Sequence, residues 1–75
     1  MHNLNLSDLR EQFSVGDTIK LLRSTRTKHN SFKKGDLFEV INVSNAIIDC
    51  INKEDALLTL HRFIINEYVE KCNDT

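Results

Sequence analysis

Seventy-five residues are enough for one small domain, which on folding buries roughly 60–65% of the surface of its extended chain and holds about a dozen apolar side chains, too few to wall a deep substrate cavity. A composition of 40% hydrophobic and 28% charged residues excludes disorder, and a net charge of −1 with a pI of about 6.3 excludes a generically basic nucleic-acid binder. The longest apolar runs are three residues, against the roughly 20 of a membrane span, and Met1-His2-Asn3-Leu4-Asn5 lacks the basic start of a secretory signal, so a cytoplasmic protein is expected.

In the opening segment, Leu6, Leu9 and Phe13 recur at helical spacing. They predict one or two turns of helix with Ser7 as N-cap, Asp8 in the first turn and Gly16 beyond the end. Gly16-Asp17 marks a turn, and Thr18-Ile19-Lys20-Leu21 alternates polar and apolar residues as a half-buried strand does. Residues 24–34 form a polar stretch read as a long loop, which Phe32, its single apolar residue, must anchor. Gly35-Asp36 marks a second turn, and the β-branched and aromatic residues of 37–43 make the clearest strand. Ser44-Asn45 then leads into a third strand over 46–51, forming a hairpin.

Residues 52–72 admit two readings. In one, 52–55 is a polar turn, 56–60 a fourth strand, 61–67 a helical turn and 68–70 a closing strand. In the other, Asn52 caps a helix over 53–72, with Leu57, Leu60, Ile64 and Tyr68 along one face and Asp55, Thr59, Arg62, Asn66 and Glu70 on the other. Periodicity favours the helix. Thr59, Ile64, Ile65, Asn66, Tyr68 and Val69 are mediocre helix formers, and three strands alone leave a sheet with open edges and an uncovered face. The mainly β reading is therefore preferred to an α+β fold with a three-stranded sheet and a C-terminal helix.

The order of these elements resembles a Src-homology-3-like (SH3-like) small barrel over residues 15–71. The likeness rests on the strand with Ile19 and Leu21, the long polar loop, Gly35-Asp36 opening Phe38-x-Val40, and the stretch from Phe63 through Tyr68 to Glu70. It implies a closed barrel of about five strands, with residues 1–14 as a helical extension and 72–75 as a tail. Members of that family that bind proline-rich peptides use a groove of aromatics including tryptophan, and a proline in the helical turn. This chain has neither Trp nor Pro, Ile65 stands at the proline's place, and only Tyr68 has an aromatic counterpart. Proline-rich peptide recognition is rejected on that ground.

The strongest chemical signal is segregation of charge. Between Asp17 and Asp36 lie six basic residues, Lys20, Arg23, Arg26, Lys28, Lys33 and Lys34, together with His29 and no acid, whereas all eleven acidic residues lie outside that stretch. Such a loop attracts an anionic partner. Phosphate is the natural ligand, with Ser24, Thr25, Thr27, Asn30 and Ser31 offering hydrogen bonds and His29 or Phe32 a stacking face for a base. The bland reading is a solvated loop whose cations pair with the acidic remainder of the domain.

No other constellation carries chemistry. His2, His29, His61, Cys50 and Cys72 lack the close ligand spacing of a zinc site, so no metal is expected. Two glycines cannot build a phosphate-cradling loop. The acidic pairs Glu54-Asp55 and Glu67/Glu70 read as solubility charges, and the cysteines as reduced thiols, with Cys50 buried and Cys72 near a frayed end. The chain reads as a non-enzymatic module without a cofactor. It binds RNA or single-stranded DNA through residues 20–34, or alternatively an acidic protein surface as a small regulator or inhibitor of a host protein. Richness in Asn, Ile and Lys suits a bacterial or phage origin. A homodimer through Leu4, Leu6, Leu9 and Phe13 is a further possibility, and no membrane role is expected.

Overall fold

Alternation along the strands produces a sheet with one buried face in a computed structural model that describes residues 8–72. In chain order the elements are helix α1 (Leu9–Gln12), strands β1 (Thr18–Leu21), β2 (Thr25–Arg26), β3 (Ser31–Phe32), β4 (Leu37–Val43), β5 (Ile47–Ile51) and β6 (Leu57–His61), helix α2 (Ile65–Tyr68) and strand β7 (Val69–Lys71). Five strands form one antiparallel sheet in the order β6-β5-β4-β1-β7, and β2 and β3 form a separate two-stranded ribbon. The fold is mainly β.

The helix over 53–72 does not form: that stretch is a turn, β6, the one-turn α2 and β7. β6 pairs with β5 from Ile51↔Leu57 to Ile47↔His61, and it buries Leu58 and Leu60 while Leu57, Thr59 and His61 face solvent. A period of two thus replaces the apparent helical period, since β5 offers a ready edge for pairing. The barrel expected from the resemblance is also corrected, because the sheet stays open. β7 pairs with β1 alone, and the link between β6 and β7 places Ile65 in the core instead of bringing the two edges together.

The core gathers the inward residues of every main strand: Ile19, Leu21, Phe38, Val40, Ile48, Cys50, Leu58, Leu60 and Val69. Leu9, Phe13, Phe32 and Ile65 cap it. Leu9 and Phe13 are therefore committed to the chain's own core and are not available to a dimer, while Leu4 and Leu6 fall outside the described residues. β4 bends at a bulge between Val40 and Asn42, which increases the local twist and lets one long strand serve both halves of the sheet.

Two turns of the same construction flank the central pair β1–β4. In 14–17 and 33–36 the fourth residue is an aspartate whose carboxylate accepts the backbone N–H of the first, Ser14 at 2.8 Å and Lys33 at 3.0 Å. The third is a glycine with φ of +98° or +96°, a region closed to most side chains. Gly16 N–H donates to Val40 O and Val40 N–H to Asp17 O; Gly35 N–H donates to Leu21 O and Leu21 N–H to Asp36 O. Each turn thus launches one strand of the pair and clasps the far end of the other.

Asp8, not Ser7, is the N-cap of α1, and Ser7 lies outside the described residues. The Asp8 carboxylate accepts the Arg10 backbone N–H at 2.9 Å and its guanidinium at 2.7 Å. These hydrogen bonds, with the positive charge of Arg10, hold its carboxyl below the usual range. A depressed folded pKa contributes stability that is present above the unfolded value and is lost as pH falls through the folded one. Asp8→Asn, which keeps the cap but loses the charge, is expected to melt below wild type at neutral pH, with the difference shrinking as acid protonates Asp8; thermal melts across a descending pH series check this.

Cys50 is fully buried, and its thiol donates to Leu58 O at 3.4 Å. Burial, with a smaller push from the Asp49 charge, raises its pKa to about 12, so the reactive thiolate is absent at neutral pH. Cys72 is only partly covered and is also free; its N–H donates to Thr18 O, so the chain is still tied to β1 there. A thiol reagent at about pH 8 is expected to label Cys72 in the native protein and Cys50 only after unfolding, which mass spectrometry of the labelled peptides reads directly. No helix among the described residues is long and apolar enough to cross a membrane.

Candidate nucleic-acid interface

The stretch read as a long polar loop is in fact a small ribbon. Thr25↔Phe32 and Arg26↔Ser31 pair antiparallel, and the tip is fixed by Thr27 N–H donating to Asn30 O at 2.8 Å and Asn30 N–H to Thr27 Oγ1 at 3.2 Å. At its base, Lys34 N–H donates to Ser24 Oγ at 3.3 Å. Apolar alternation could not have revealed strands of two residues each. The expected anchor is present: Phe32 is 3% exposed and packs edge-on against Phe38, ring centroids 5.2 Å apart and planes at 69°. It is the one buried residue between Leu22 and Gly35. That position leaves Phe32 no face for a base, so its assigned stacking role is withdrawn.

The basic residues divide into two groups. Lys20 reaches Glu70 at 3.5 Å and Arg23 reaches Glu67 at 3.8 Å, both on neighbouring elements, as the bland reading requires. Arg26, Lys28, Lys33 and Lys34 are exposed and form no ion pair among the described residues. Lys28 and the exposed His29 sit at the tip, and Arg26 stands on the face of the ribbon opposite the anchoring Phe32. A shallow groove along the ribbon is lined by Ser24, Thr25, Arg26, Ser31, Phe32 and Lys33. The hydroxyls expected to meet phosphate are partly engaged already, Ser24 by Lys34 and Thr27 by Asn30, which leaves Ser31 the most open.

A second cationic and aromatic corner lies where β6 passes into α2. Phe63 is 65% exposed, and its ring lies against His61 with centroids 4.9 Å apart and planes at 18°. The Phe63 N–H donates to His61 Nδ1 at 3.3 Å, and the Arg62 guanidinium lies 5.2 Å from the Phe63 ring centroid. At the other end of α2, Arg23 lies over the Tyr68 ring at 5.1 Å, and Tyr68 O accepts the Leu22 N–H. The sequence did not single out Phe63, because Phe63-Ile64-Ile65 is uniformly apolar and only Ile65 is buried. The available signal was the run 56–66, which carries His61 and Arg62 but no acid.

His61 ends β6. Among the described residues no three His, Cys, Asp or Glu side chains gather where they could share one metal ion. The chain matches no family model, no curated protein and no solved structure. Its class is therefore defined by its own architecture, a small antiparallel β protein with an open five-stranded sheet and a basic ribbon.

Proposed function

We propose that this chain is a non-enzymatic binding module of SH3-like architecture that holds RNA or single-stranded DNA by its phosphates on the β2–β3 ribbon. The strand order with a long arm between the first two main strands, and a one-turn helix before the last, supports the architectural part. The observation that carries the function is that Arg26, Lys28, Lys33 and Lys34, spread over a two-stranded arm and the turn at its base, are exposed and have no carboxylate partner among the described residues. Cations held so are free to replace the counterions of a polyanion, and releasing those counterions drives association. The acidic remainder of the domain keeps the contact local and repels the strand elsewhere.

The test is a salt titration of oligonucleotide binding. With four phosphate contacts, log K is expected to fall with log salt at a slope of about −3, and Lys28→Ala is expected to flatten the slope by about 0.7. Binding that ignores salt removes the reading. Absence of binding even at low salt leaves an acidic protein surface as the partner of the ribbon.

A further inference from the structure

We propose that Phe63, backed by His61 and flanked by Arg62, is a platform on which the nucleic acid stacks an unpaired base. The inference rests on the ribbon reading and narrows it to single strands with accessible bases. Of the four phenylalanines, Phe13, Phe32 and Phe38 are in the core and Phe63 alone is presented to solvent. Its ring is not loose. The imidazole covers one face nearly parallel, and the N–H bond to Nδ1 ties the ring's own backbone to that imidazole. A flat, pre-ordered π-surface can receive a base with little further loss of side-chain freedom, and stacking is tolerant of base identity.

The charge around the platform selects the occupant. No acidic residue occurs from 56 to 66, and the Arg62 guanidinium lies over the ring, 5.2 Å from its centroid, while the ring as a whole stays 65% exposed. The Arg62 Nε is buried without a hydrogen-bond partner; Asp8 is near enough to feel the Arg62 charge but forms no ion pair with it among the described residues. An exposed aromatic ring with one guanidinium against it suits a base attached to a phosphate. The platform is also placed to share a strand with the ribbon. Arg23, at the base of the ribbon, contacts Glu67 and Tyr68 of α2, and α2 is four residues long, about 6 Å. A strand held on both would run along α2, which Phe63 precedes by two residues.

The experiment compares a short oligothymidylate with an abasic strand of equal length, which keeps the phosphates and lacks the bases. Wild type is expected to prefer oligothymidylate by roughly five- to hundredfold, the range of one stacked base, and Phe63→Ala is expected to abolish that preference while leaving the salt slope and thermal midpoint unchanged. F63W supplies the chain's single tryptophan, whose fluorescence should be quenched by oligothymidylate and not by the abasic strand. If Phe63→Ala keeps the preference for bases, or weakens both strands equally, the platform is overturned and the ribbon reading stands. If wild type binds neither strand, both fall.

Discussion

Phe38→Ala is expected to lower the thermal midpoint by roughly 12 °C or more, the largest single effect in the molecule. Phe38 is 2% exposed on β4, which pairs with both β1 and β5. Truncating a buried phenylalanine costs about 3–5 kcal/mol in lost transfer and cavity terms, and in a domain of this size each kcal/mol is worth about 4–8 °C. The total stability expected of so short a chain is only about 4–11 kcal/mol, so the variant is expected to be partly unfolded at body temperature. The ring also supports the edge of Phe32, so the ribbon loses its anchor as the core loses volume. Circular dichroism melts of the variant measure the effect, and a shift of less than a few degrees would show that the core is not packed around Phe38.

Replacing Arg26, Lys28, Lys33 and Lys34 together by alanine is expected to reduce oligothymidylate affinity on the order of 10²–10³-fold at about 0.1 M salt, with little change in stability. The magnitude follows from four contacts at about 0.7 per contact in the salt exponent, taken over a decade of salt. Stability is spared because the four side chains are exposed and have no ion-pair partners among the described residues, and substitutions at such positions usually stay within about 0.5 kcal/mol each. Lys20 and Arg23 behave differently. Their carboxylate neighbours Glu70 and Glu67 compete with phosphate for them, so removing both is expected to change the salt slope less than removing any two of the other four. Fluorescence anisotropy across a salt series separates the two sets, and equal slopes for both would sink the division.

Much of the fold was legible because the residues that decide it act locally. Gly16-Asp17 and Gly35-Asp36 announced turns through their chemistry, and Ile19/Leu21 and Phe38/Val40 announced strands through alternation. The segment 53–72 was ambiguous because Leu57, Leu60, Ile64 and Tyr68 fit a helical face, and only pairing with β5, a tertiary fact, decides for β6. The open sheet was not legible for the same reason: closure depends on how α2 directs the chain. At the site, the gathering of basic residues could be read directly. The ion pairs of Lys20 and Arg23, the burial of Phe32 and the exposure of Phe63 could not, since each depends on what another element presents opposite it.

The paired clasps on β1 and β4 have a consequence for what this scaffold tolerates. Sliding either strand by one position would turn its own inward pair, Ile19 and Leu21 or Phe38 and Val40, outward and break the bonds at Gly16 and Gly35 in the same step, so neighbouring alignments are shut out at both ends at once. The arm emerges between two fixed points, Leu21 and Gly35, that are already bonded to each other. Lengthening its tip or recharging its exposed positions leaves the frame untouched as long as Phe32 keeps its place in the core, so the exposed surface of the arm can vary without the scaffold having to solve its folding problem again.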